Sequence, residues 1–314
     1  MRSIVLGGAG FIGSHLVDRL LARGDEVVAV DSLLTGRREN AVHNSGNSRY
    51  QFLQHDICRP IPLSGPADAV FNLASPASPI DYSKLPLETL EVGSNGTRHA
   101  LELARAMGAT LVHASTSEVY GDPLEHPQRE AYFGNVNPIG PRACYDEAKR
   151  FAETLVTTYA RVHPLPIRIA RIFNTYGPRM HENDGRVVSN FAVQALRDAP
   201  ITVYGEGQQT RSFCYVSDLV EGFVRLMASP HGVDPVNLGN PRETTVLELA
   251  EMTKRLAKSK SEIIKAPLPK DDPTRRKPDI GRAQKLLDNW GPRVSLEEGL
   301  AATIEDFRRR LGMA

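Results

Sequence analysis

Three neighbouring residues, Thr116, Ser117 and Glu118, place two hydroxyls and a carboxylate at the end of an apolar run in "LVHASTSEVYG". A hydroxyl at a strand end can hydrogen-bond a reacting oxygen, and a carboxylate beside it can steer charge or a proton. Further along, "ACYDEAKRF" sets Tyr145 and Lys149 four residues apart, hence on one face of a helix. The ammonium would lower the pKa of the phenol electrostatically, which moves Tyr145 toward a general base near neutral pH.

Such chemistry needs an electron carrier, and the first residues suggest one. In "VLGGAGFIGSHL", Gly7, Gly10 and Gly13 form G-x-x-G-x-x-G, and Gly8 in place of Gly7 also satisfies G-x-G-x-x-G. A turn without Cβ atoms lets the backbone, with Phe11 and Ile12, approach a pyrophosphate whose charge sits on the helix N-terminus. Asp31 follows about 20 residues later at the end of a second strand, where a carboxylate accepts from ribose hydroxyls and repels a 2'-phosphate. This predicts NAD as cofactor; Arg37 and Arg38 argue the other way, because a nearby arginine can hold that phosphate. Asp56 and Ile57 are candidate adenine contacts, and Leu73 and Ala74, with Tyr145 and Lys149, complete the cofactor set.

These groups must be positioned by a parallel sheet. Apolar, β-branched runs at 3–6, 26–31, 50–54, 69–73, 110–115 and 167–172 alternate with amphipathic stretches such as "GSHLVDRLLARG" and "GTRHALELARAMG". That alternation predicts an α/β fold: a Rossmann-type doubly wound parallel sheet with a smaller C-terminal α/β substrate domain. The expected division is 1–173, joined by about 212–238, for the cofactor, and 174–211 with 239–314 for the substrate. Past Phe173 three polar loops, "NTYGPRMHENDGR", "EGQQTRSF" and "KAPLPKDDPTRRKPD", read as binding loops.

The 314 residues carry a formal net charge of +1, which makes no global case for nucleic acid or an anionic membrane. Cys58, Cys144 and Cys214 are far apart, with no C-x-x-C pair, which fits a reduced cytoplasmic protein and no metal. The N-terminal apolar run is too short and too broken by glycine for a signal peptide. No stretch approaches the roughly 18 apolar residues of a membrane span.

With Tyr-x-x-x-Lys, the glycine turn, Asp31 and Thr116 together, the chain resembles the extended short-chain dehydrogenase/reductase family over essentially its full length. Within that family, "NLASPASPIDY", "STSEVYGDP", "NPIGPRACYDEAKR", "RIFNTYGPRMHENDGRVVSNF", "GQQTRSFCYVSDL", "NLGNP" and "DDPTRRKPDI" look like the UDP-glucuronate decarboxylases. The resemblance implies a redox triad of Thr116, Tyr145 and Lys149. It also implies that Arg276 and Glu118 lie near the sugar, Arg276 recognising the carboxylate and delivering a proton through water, Glu118 orienting the ring or a water. Asn72, Ala148 and Glu182 depart from the family pattern, standing where relatives commonly have His, Gly and Pro.

Diphosphate recognition wants guanidinium forks, and Arg179, Arg186, Arg211 and Arg275 are the candidates, with Asn174 and Asn190 as amide donors. The resemblance places Asn174 and Arg211 on the diphosphate and Val203 with Tyr204 along the uridine; Tyr82 and Ser117 reach the sugar. Thr-Ser-Glu also discriminates among neighbouring chemistries. Dehydratases of the family carry Thr-Asp-Glu, since eliminating water needs an acid where Ser117 stands. The implied activity is therefore decarboxylation of UDP-glucuronate to UDP-xylose by a homodimer, with a UDP-glucuronate 4-epimerase and a non-catalytic dinucleotide sensor as the alternatives.

Overall fold

The computed structural model describes residues 1–267 and 275–313. The apolar runs form β1 (Arg2–Leu6), β2 (Glu26–Asp31), β3 (Tyr50–Gln54), β4 (Ala69–Asn72), β5 (Thr110–Thr116) and β6 (Ile167–Ile172). A seventh strand, Pro235–Leu238, joins them in the order Pro235–Leu238, β6, β5, β4, β1, β2, β3, every pair parallel. Strands buried on both faces read as near-continuous apolar runs, which is why β1, β2 and β4 show little alternation. One face packs Leu16 and Leu20 of α1 (Phe11–Arg23) with Phe223 of the helix Val216–Ala228. The other packs Leu101 and Ala104 of the helix Thr97–Met107 and Val156 of the helix Ala143–Val162. The strand order reverses between β1 and β4, and in such sheets ligands bind outside the carboxyl ends at that crevice.

The second half is more regular than its loops suggest. The helices Val187–Leu196, Val246–Ala257 and Leu296–Arg310 close a core of Phe191, Leu249, Ile304 and Phe307 around the parallel pair Ile201–Tyr204 and Ile263–Ala266. Thr245 with Glu248, and Ser295 with Glu298, form capping boxes that start two of these helices. A three-stranded sheet sets Thr210–Ser212 between Glu243–Thr245 and Arg275–Arg276, with Arg211 and Arg276 in register. Ile280, Ala283, Leu287 and Trp290 then return to the core of the large sheet. Asp271 and Asp272 of the "DDPTRRKPDI" motif lie outside the described residues.

One glycine controls how the loop after β5 leaves the sheet. Gly121 adopts φ 62 and ψ −137, a region closed to side chains, and a Cβ on it would stand 1.9 Å from the Asn135 carbonyl oxygen. Gly121→Ala is expected to cost on the order of 3 kcal/mol from strain and overlap. The denaturant midpoint measures it; a loss below about 1 kcal/mol would mean that the loop can shift freely.

Candidate active site

The end of β5 and the start of the helix Ala143–Val162 meet at a hydroxyl pair. Thr116 ends β5, and its Oγ1 accepts from the Glu118 backbone N–H at 3.2 Å; the same hydroxyl is near enough to the Tyr145 phenol to favour its ionised form. Tyr145 is buried and stacks on Tyr82, ring centroids 5.1 Å apart and planes 13° from parallel. Burial pushes its phenol up to about 12, opposed by the Thr116 hydrogen bond and by the positive charge of Arg186. Lys149 lies on the same helix face, its Nζ 5.8 Å from the Tyr145 ring centroid and donating to the Ala114 carbonyl at 3.0 Å. Burial lowers the ammonium to about 8.

The expected acidification of Tyr145 by Lys149 is therefore not what this chain displays by itself. The phenol is raised rather than lowered, because burial is the larger effect and the nearest electrostatic help comes from Thr116 and Arg186. A cationic ring bound alongside acts in the lowering direction.

Glu118 lies in the short turn Ser117–Tyr120 and is enclosed by two guanidinium groups. Arg142, at the N-cap of the Tyr145 helix, donates to its Oε2 at 2.6 Å. Arg276 donates to Oε1 at 2.8 Å and to Oε2 at 3.3 Å, and further to the Ser117 hydroxyl at 3.0 Å and the Gly121 carbonyl at 3.1 Å. The side chains of Arg276 and Glu118 are 3% and 16% exposed. Burial raises the carboxyl, yet Arg276 and Arg142 together outweigh it and hold Glu118 below the usual carboxylate range. The two residues expected to act separately on the sugar thus form one ion pair.

The glycine turn has the shape that a pyrophosphate cradle requires. Gly7 has φ +81, and a Cβ there would meet the Ala74 backbone N at 2.8 Å, so Leu73 and Ala74 at the end of β4 press directly on it. A Cβ on Gly13 would fall 2.0 Å from the Gly7 carbonyl oxygen. Gly10 precedes Phe11 and Ile12 in the first turn of α1. Asp31, buried at the end of β2, accepts from the Ala9 N–H at 3.0 Å and the Leu33 N–H at 2.8 Å. Burial pushes its carboxyl up against these donors. Ile57 is buried, whereas Asp56 is exposed and accepts from the Cys58 N–H at 2.9 Å.

The nucleotide candidates divide. Arg186 faces Tyr145 electrostatically, donates to the Ala77 carbonyl at 2.8 Å and lies 3.4 Å from Asp184. Asn190 donates to the Gly185 carbonyl one turn away, and the Asn174 carbonyl accepts from the Cys214 N–H. Arg211 is the register partner of Arg276, and Arg275 is exposed beside it. Arg179 is not brought to this cluster: its Nη2 pairs with Asp18 of α1 at 2.6 Å and its N–H donates to Asp306 at 2.9 Å. Val203 is fully buried in the second core, which leaves the exposed Tyr204 as the accessible residue of that strand.

Residues that the sequence reading omitted complete the frame. Glu153 follows Lys149 by four and accepts from the Ser115 hydroxyl at 2.5 Å and from Arg171 at 2.9 and 2.7 Å, tying the helix to β5 and β6. The 145, 149, 153 spacing on one helix face was the available signal. Gly93, in a π-helical turn at Val92–Gly96, lets that segment approach Ala148; a Cβ on Gly93 would lie 2.8 Å from the Ala148 Cβ. Asn72 is buried, with its Nδ2 3.3 Å from the His113 Nδ1.

Residues 3–239 match the model of the NAD dependent epimerase/dehydratase family. UDP-glucuronic acid decarboxylase 1 of Arabidopsis thaliana is 55% identical over 311 residues, covering 99% of this chain and 71% of the relative. The protein of the same name from Danio rerio is 54% identical over 310 residues, covering 99% and 73%. Among solved structures, UDP-glucuronic acid 4-epimerase from Bacillus cereus, in complex with UDP-glucuronic acid and NAD, aligns with a TM-score of 0.87 at 28% identity, covering 99% and 100%. UDP-glucose 4-epimerase from Thermotoga maritima aligns with a TM-score of 0.88 at 31% identity, covering the same shares. The chain belongs to the NAD dependent epimerase/dehydratase family and, by its full-length likeness, to the UDP-glucuronic acid decarboxylases within it.

Proposed function

We propose that the protein decarboxylates UDP-glucuronate to UDP-xylose with a recycled NAD. The observation that carries this is the Thr116–Tyr145 hydroxyl pair beside a charged Glu118–Arg276 pair, a redox centre with an ionic neighbour that simple epimerisation does not require. Gly7, Gly10, Gly13 and Asp31 would hold NAD, which would supply a reversible hydride acceptor for C4. Tyr145 removes the proton of the 4-hydroxyl, and Thr116 shares the hydrogen bond to that oxygen. Once C4 is a ketone, the C6 carboxylate is β to it. Loss of CO2 sends the electron pair into the carbonyl as an enolate that Tyr145 and Thr116 hold by hydrogen bonds. Glu118, kept ionised by its guanidinium partners, disfavours the substrate carboxylate by like charge. Arg276 is fixed by Glu118, Ser117 and Gly121, and its role is to anchor the water that protonates C5, since a guanidinium is itself a poor acid.

In this reading residues 1–173 with 212–238 form the cofactor half, and 174–211 with 239–314 the nucleotide-sugar half. Arg186, Arg211 and Arg275, with Asn174 and Asn190, line the diphosphate side, and Tyr82 and Tyr204 flank the sugar and uridine. We read the enzyme as a cytoplasmic homodimer. Exposed Leu87 and Leu90 on the helix Pro86–Glu91, next to exposed Phe151 on the Tyr145 helix, support pairing of these helices with a second copy. Among the described residues no helix is long and apolar enough to cross a membrane.

Incubation with UDP-glucuronate and NAD tests the function. Stoichiometric CO2 and a product lighter by that mass are expected. A product of unchanged mass with altered retention would instead identify a 4-epimerase, and no conversion of any UDP-sugar would leave only dinucleotide binding.

A further inference from the structure

Arg37 lies on the segment that follows β2 and Asp31, a cation that a 2'-phosphate could recruit, and its guanidinium is already engaged. The Arg37 backbone N–H donates to the Ala9 carbonyl at 3.0 Å, and the Ala9 N–H donates to the Asp31 carboxylate at 3.0 Å. Arg37 is thus anchored to the same residue, Ala9, that donates to the Asp31 carboxylate. Its Nη2 donates to both carboxylate oxygens of Glu182, at 2.9 and 2.7 Å. Glu182 belongs to the loop between Tyr176 and Val187, in the other half of the chain. Arg310 adds a contact to Glu182 at 3.2 Å and is itself held by Asp306 at 2.8 Å and the Met180 carbonyl at 2.8 Å. The Arg37 and Glu182 side chains are only 26% and 23% exposed, so salt screens them less than a surface pair. Arg38, the neighbouring arginine, donates instead to the Gln54 side chain at 2.9 Å.

We propose that Glu182 is a specificity-determining residue for the dinucleotide: by occupying the Arg37 guanidinium it withdraws the cation that a 2'-phosphate would use. A carboxylate and a phosphate compete for the same planar fork of donors. Asp31 repels the phosphate, and Glu182 removes the charge that would compensate. Both effects bear on NADP and leave the neutral 2'-hydroxyl of NAD untouched. Burial raises the Glu182 carboxyl, but its own backbone N–H and the charges of Arg37 and Arg310 hold it below the usual range, so the pair stays charged at neutral pH.

The inference rests on the reading that the glycine turn binds NAD, and the test separates the two. Nucleotide-free protein is titrated calorimetrically with NAD and with NADP, as wild type, Glu182→Ala, Arg37→Ala and the double variant. Wild type binds NAD and discriminates strongly against NADP. Glu182→Ala is expected to tighten NADP at least tenfold while NAD stays within threefold. Adding Arg37→Ala removes that gain, and Arg37→Ala alone produces none. Unchanged NADP affinity in Glu182→Ala, or a gain that survives in the double variant, overturns the proposal. If Glu182→Ala does not fold, Glu182→Gln keeps one acceptor oxygen for the guanidinium and drops the charge, and an NADP gain of about threefold is expected there; no gain overturns the proposal equally. Wild type that binds neither dinucleotide overturns the NAD reading itself.

Discussion

Tyr145→Phe is expected to lower kcat about a hundred- to ten-thousand-fold while leaving the fold and dinucleotide affinity nearly unchanged. The substitution removes one oxygen. The ring, stacked on Tyr82 at 5.1 Å, keeps its place, and the loss in the protein is the hydrogen bond with Thr116. What disappears is the group that carries the C4 proton out and back, and general acid–base groups supply about that factor. Because oxidation comes before loss of CO2, both CO2 release and transient reduction of NAD should fall together. A variant that still reduces the dinucleotide at the wild-type rate, measured by nicotinamide absorbance in a single turnover, would show that another group takes the proton. Thr116→Ala, which removes the partner hydroxyl, should move in the same direction by a smaller factor.

The second large effect is thermodynamic. Arg276→Ala should destabilise the protein by about 3 to 5 kcal/mol, the usual cost of leaving a buried ion without its partner. The Arg276 side chain is 3% exposed and makes four hydrogen bonds, to Glu118 Oε1, Glu118 Oε2, Ser117 and Gly121. Glu118 would retain Arg142, which places the effect toward the lower end. Replacing both partners, Glu118→Gln with Arg276→Met, should recover part of that stability because neither buried member of the pair is left charged, the recovery being limited because Arg142 loses the carboxylate it donates to. It should not recover CO2 release. Denaturant midpoints and CO2 yields on the three variants separate structure from chemistry. Full recovery of both in the double variant would mean that the pair only holds the loop, and unchanged xylose formation in Glu118→Gln would remove Glu118 from the mechanism.

The frame was readable because local rules and global fold agree. β2, β3 and β6 run over the same residues as the apolar stretches, since β-branched runs bounded by turn residues leave little choice of strand. Tyr145 and Lys149 share a face because helical spacing requires it, and Thr116 was set by its place at a strand end. The charges were less legible. Glu118 and Arg276 are 158 residues apart, Arg37 and Glu182 145, and Arg179 and Asp18 161. Partner choice at such separations follows from how two halves dock, which periodicity does not record. The same cause accounts for Arg179, whose guanidinium reads as a phosphate ligand until α1 is seen to lie beside its loop. The Val203 side chain faces the core because in a short strand one residue in two does so, which leaves Tyr204 as the exposed side chain of the pair.

The close passage of Gly93 past Ala148 has a further meaning. The helix that carries Tyr145 and Lys149 is spaced from its neighbour by a single methyl group, contributed by one side of the crossing and omitted by the other. A methyl at 93 would meet the Ala148 Cβ at 2.8 Å and the Ala148 carbonyl oxygen at 3.0 Å, so the lineage can dispense with the methyl at 148 but cannot hold one at both positions without levering the base away from the strand end it serves. Substitutions here would be expected to be coupled, a constraint on descent that operates one residue from Lys149 and involves no charged side chain.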